Sequence, residues 1–125
     1  MQVMDFQIGE LVTTKVRTGI YIGEVYELYG SRLVVKILAV IKHPEQGDLH
    51  HPQDPDVPLF HERRALAYTE KTTVLLKDVE RYNGEVPDYK QSLVKAAQQE
   101  LLRLDKLHRW AAKSINNLQG LIETY

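Results

Sequence analysis

The chain has 125 residues, of which 43% are hydrophobic and 26% charged, with 16 basic and 17 acidic side chains and no cysteine. That is the size of one ordinary domain, its composition is globular rather than disordered, and its near-neutral charge lacks the basic footprint of a general nucleic-acid binder. The missing cysteine excludes disulfides, thiolate metal sites and cysteine nucleophiles.

In chain order, the first ten residues carry no basic region and no apolar stretch of signal length. Nowhere does an apolar run approach the roughly 18 residues of a membrane span. A cytoplasmic protein is expected, without direct membrane insertion. A lipid anchor on cysteine is not expected either.

Residues 9–16, 20–28 and 33–41 are rich in valine, isoleucine, threonine and tyrosine, which favours strands. Arg17-Thr18-Gly19 and Tyr29-Gly30-Ser31 are turn-like breaks, so the three strands predict an antiparallel meander. The third is apolar on both faces and is placed centrally. Residues 43–58 then hold four of the five prolines, a density that no regular element survives. The long loop they belong to, 43–62, is expected to be functional or disordered. Further strands are read at 64–70 and 72–76, and a helical turn at 77–82. About five short antiparallel strands with one long loop predict a small SH3-like barrel over residues 1–84, because closure removes edges.

From Asp88 onward the period is helical. Leu93, Ala97, Leu101, Leu104, Leu107, Ala111, Ile115, Leu118 and Ile122 recur at three and four residues. Asp88 after Pro87 reads as a helix cap. Two helices are expected over 85–125, the second capped by Asp105 and both packed on the barrel, since one helix of that length would project far from it. Trp110 lies beside Leu107 and Ala111, so packing against the barrel is its expected role.

The loop collects His43, Asp48, His50, His51, Asp54, Asp56, His61 and Glu62, all metal-ligand types in principle. Their spacing matches no zinc signature, and hydrogen bonding to the loop backbone is the more ordinary role. A metal site on His43, His50, His51 and His61, serving a metal-dependent hydrolase, is the alternative. Barrel-type nucleic-acid binding is a third reading. In His61-Glu62-Arg63-Arg64 a strand would put His61 and Arg63 on one face and Glu62 and Arg64 on the other, suiting an arginine–carboxylate lock between loop and barrel. No activated nucleophile sits beside a base, and no glycine-rich phosphate loop is present. The expectation is a protein that is not an enzyme and carries no cofactor.

Several segments carry a family resemblance: Gly19–Val25, Val34–Pro44, Gln46–His50, Asp56–Pro58, Phe60–Ala67 and Glu85–Tyr89. Across residues 8–100 the chain resembles the kinase-associated protein B (KapB) family of spore-forming bacteria, often labelled kinase-associated lipoprotein B. The resemblance implies a non-enzymatic accessory protein that supports a KinB-like sensor histidine kinase in the sporulation phosphorelay. It also implies an SH3-like barrel with C-terminal helices. The kinase is then the expected partner, and membrane proximity would come through it; self-association is a further contact to consider. The candidate contact residues are His43, Gln46, Asp48, His50, Phe60, His61, Glu62, Arg63 and Arg64.

Overall fold

The computed structural model describes residues 6–125. Five strands run β1 (Leu11–Val16), β2 (Gly19–Tyr29), β3 (Arg32–Lys42), β4 (Lys71–Leu75) and β5 (Val79–Arg81), with a 3-10 turn at Leu76–Asp78 between the last two. One helix, α1 (Tyr89–Thr124), completes the chain. All pairings are antiparallel, and the sheet order is β4-β3-β2-β1-β5. The meander predicted for the first three strands is present, and β3 is an internal strand.

Alternation builds the core. Val12 and Thr14 of β1, Tyr21 and Val25 of β2, and Leu33, Val35 and Ile37 of β3 point to one side and are at most 1% exposed. Ladder register slips at three places between β2 and β3, where residues such as Leu38 and Ile41 have no cross-strand partner. Extra residues of this kind bend a strand and increase its twist. Gly23 sits where the bend brings β3 closest: a Cβ there would lie 2.4 Å from Val35 Cγ1 and 2.7 Å from the Lys36 carbonyl oxygen.

Three expectations need correction. The sheet does not close into a barrel. Its edges, β4 and β5, share no ladder, although the 3-10 turn curls the sheet until β1 comes near β4. Residues 64–70 form no strand. Thr69 adopts a left-handed φ of 65°, and the fourth strand starts at Lys71. The predicted helical turn shrinks to Leu76–Asp78, and Val79–Arg81 pairs with β1 as β5.

The C-terminal part is one helix of 36 residues rather than two. Asp88 caps it, its carboxylate accepting from the Gln91 N–H at 3.0 Å. Asp105 does not cap anything; it pairs with Arg109 one turn on, at 3.0 Å. No proline and no glycine before Gly120 interrupts the run, so nothing in the sequence stops the helix. The first turns pack against β3. Ser92 and Ala96 are buried there, and Ser92 Oγ accepts from the buried Val40 N–H at 3.0 Å. The Leu66 backbone is pinned from two sides, its N–H donating to the Tyr21 hydroxyl and its carbonyl accepting from the Tyr89 hydroxyl. Burial raises the pKa of both tyrosines.

Candidate functional site

The proline-rich loop is ordered by a clamp at its base. Gln46 reaches across to Arg63: its amide oxygen accepts from the Arg63 N–H at 2.7 Å and its amide nitrogen donates to the Arg63 carbonyl at 3.0 Å. Beside it, the Gly47 N–H donates to the His61 carbonyl at 2.9 Å. The Arg63 guanidinium closes the clamp by donating to the Gly47 carbonyl at 2.9 Å. Arg63 thus ties the two legs of the loop to each other through a backbone carbonyl, whereas the expected lock was an arginine–carboxylate pair between loop and barrel. Gly47 has a φ of +94°, and the Phe60 ring lies where its Cβ would be. Only glycine combines that conformation with that contact.

The first leg of the loop is tied to the β1–β2 turn. The Glu45 N–H donates to Thr18 Oγ1 at 2.8 Å, while the Lys42 ammonium donates to the Thr18 carbonyl at 3.0 Å and to Glu45 at 3.3 Å. Further out, Asp48 accepts from the His50 N–H at 2.9 Å and pairs with His51 Nδ1 at 3.2 Å. These bonds, the backbone one first, hold the Asp48 carboxyl below its ordinary range. The tip residues act on their own backbone, as such side chains do in tight loops.

The sequence-predicted residues therefore fall into two groups. Gln46, Asp48, Phe60, His61 and Arg63 belong to the clamp or to the groove described below. His43 is half-buried with Nδ1 against the Pro44 carbonyl at 2.9 Å, while His50, Glu62 and Arg64 are exposed. Among the described residues no three or more histidine, aspartate or glutamate side chains come together in a way that could hold a metal ion. His43, His50, His51 and His61 do not form the metal centre of the alternative reading.

What the loop does form is one wall of a groove of about 510 Å³ whose other wall is α1. Phe60, Pro55, Leu104, Leu107 and Ala111 give it an apolar lining, and Glu45, Asp48 and Asp54 give it an acidic rim. On the helix side Arg103 grips Glu100 with two bonds of 2.9 Å. That grip keeps the Glu100 carboxyl below its ordinary range, with the charges of Arg103, Lys42 and His43 acting the same way. The helix residues of the groove are not among the sequence-predicted contact residues, although part of the apolar stripe could be read as serving a partner. The signal was present: the stripe runs on well past the length that a small sheet can cover.

Trp110, expected against the sheet, is 66% exposed. No helix among the described residues is long and apolar enough to cross a membrane.

Comparison with known proteins places these features in a family context. The family model "Kinase associated protein B" matches residues 16–125, which includes the whole of α1. "Kinase-associated lipoprotein B" of Bacillus subtilis (strain 168) is 46% identical over 121 residues, covering 96% of this chain and 94% of that protein. A crystal structure of kinase-associated protein B from Bacillus cereus superposes with a TM-score of 0.68 at 40% identity, covering 81% of this chain and 79% of that one.

Proposed function

Because the chain belongs to the kinase-associated protein B family, we propose that it is a non-enzymatic accessory protein that supports a KinB-like sensor histidine kinase in the sporulation phosphorelay. It would act in the cytoplasm, near the membrane only through that kinase. The recognition surface is the loop 43–62, and the observation that carries this placement is the clamp. Side-chain bonds of 2.7 to 3.0 Å between its two legs hold this loop in one shape. An ordered loop presents His50, Phe60 and His61 at little entropic cost on binding. Its acidic rim would also favour encounter with a basic partner surface.

The test is capture of the cytoplasmic part of the kinase by the full chain, with Asp48→Ala, His50→Ala and His61→Ala made singly. The loop assignment expects at least one variant to bind less and to support kinase activity less. Unchanged binding and unchanged activation by all three would overturn it.

A further inference from the structure

Among the described residues, α1 has no partner from residue 112 onward. At about 1.5 Å per residue a 36-residue helix is about 54 Å long, several times the radius of the sheet domain it leaves. From residue 112 to 125 every residue except Ser114 is exposed. Yet this half is not polar. Ile115, Leu118, Leu121 and Ile122 are 55%, 56%, 44% and 68% exposed. Such a stripe on one helix marks an interaction face.

The repeat of the stripe says what kind of partner covers it. Counting from Leu101, the a positions of a heptad are Leu101, His108, Ile115 and Ile122, and the d positions are Leu104, Ala111, Leu118 and Tyr125. Apart from His108, the a and d positions are apolar from 101 to 125, a pattern that suits a neighbouring helix lying alongside. Leu107 and Leu121 at g widen the stripe.

We propose that this face pairs with the same face of a second copy, as an antiparallel two-helix coiled coil centred between Ala111 and Ile115. Three observations select that occupant. First, the layers complement one another: small Ala111 meets Ile115 of the second copy, Leu104 meets Ile122, Leu101 meets Tyr125, and His108 lies on Leu118 rather than on a second histidine. Second, the flanks do not repel: Leu107 meets Leu121, Asp105 meets Gln119, and Ala112 meets its own counterpart. Third, the alignment lays the tip of each helix across Leu104–Ala111 of the other, and so into the apolar groove beside Phe60 and Pro55. The tip segment 114–122 is uncharged, so it enters past the acidic rim without opposing it. A parallel pairing would stack His108 on His108 and leave the groove unfilled. Eight large apolar side chains per copy, each yielding on the order of 100 Å², approach the roughly 800 Å² per partner of a standard interface. This pairing does not depend on the kinase reading, because both the stripe and the groove belong to this chain.

Sedimentation of the full chain across a concentration series, without kinase, tests it. The expected result is a dimer mass that falls to monomer on dilution. Ile115→Glu and Ile122→Glu each weaken dimerisation more than about tenfold, since each buries a carboxylate without a partner, while circular dichroism shows the sheet domain still folded. Trp110→Glu, on the opposite face, leaves the mass unchanged. Orientation is read by cysteine pairing in a chain that has none. Under mild oxidation Leu104→Cys/Ile122→Cys becomes a covalent dimer, and neither single variant does. A monomer at every concentration overturns the proposal, including one whose stripe is instead covered by the kinase. So does a dimer indifferent to both glutamates, or efficient linkage through Ile122→Cys alone.

Discussion

Two residues decide whether the loop and the helix are held in place. Gly47 is one. Alanine there adopts a left-handed conformation and brings its Cβ to 2.9 Å from the Phe60 ring. The backbone term alone costs about 1–2 kcal/mol. Gly47→Ala is therefore expected to lower stability by at least that much in urea titration. Loss of the protected Gly47 amide in hydrogen exchange would locate the damage in the clamp. Ser92 is the other. Ser92→Ala removes the acceptor of the buried Val40 N–H, and an unsatisfied buried donor costs about 1–3 kcal/mol. Equal stability of the variant and the parent would mean that water takes the place of the hydroxyl. At this scale the sequence was partly legible. The glycine in the loop and the histidine and acid types around it could be read directly. What could not be read was that Gln46, an unremarkable polar residue, spans the loop to Arg63, because that bond needs two positions 17 residues apart to meet.

Among the elements, the three long strands and their turns followed from composition and glycine placement alone. The fourth and fifth did not. Residues 64–70 alternate well enough for a strand. Yet Leu66 is held by the Tyr21 and Tyr89 hydroxyls, and Thr69 turns left-handed. Tertiary contacts overrode a local preference, as they often do for β-strands. The helix erred the other way. Its local signals ask for one uninterrupted element, and the expectation of two came from assuming that the stripe must fold back. Asp88→Ala should cost about 1 kcal/mol through the lost cap, visible as fraying of the first turn in amide exchange. The loop tip should respond to acid. Hydrogen bonding depresses the Asp48 pKa in the folded chain, so its contribution is fully present above the ordinary carboxylate value of about 3.9. It is lost as pH falls through the lower folded value. Titration followed by carbon NMR should therefore show the Asp48 carboxyl with a midpoint below about 3.9; a midpoint at or above that value would contradict the bond.

For the whole molecule, stability is concentrated at one end. The buried cluster draws on the five strands, Phe6 and the first turns of α1 as far as Ala96, and takes nothing from the second half of the helix. Ile37→Ala, at a fully buried site, should cost about 2–5 kcal/mol. In dilute solution Ile122→Ala should change stability by less than about 0.5 kcal/mol. Paired denaturation curves check this, and a large loss from the second variant at low concentration would mean that the tip packs on the sheet domain. This division of labour also separates fold from function in the sequence. One end could be read as strands because packing dictates its pattern. At the other end the stripe could be read from its spacing, but that the sheet leaves it uncovered needed the structure.

The exposed Trp110 has a practical consequence. It is the only tryptophan in the chain and stands on the helix face away from the heptad stripe. Its fluorescence in the free protein should already resemble that of the unfolded chain, so the emission maximum will follow melting of the sheet domain poorly. The same placement makes it a built-in optical probe of whatever docks on the back of the helix. A blue shift on adding the kinase would show that the contact reaches that face.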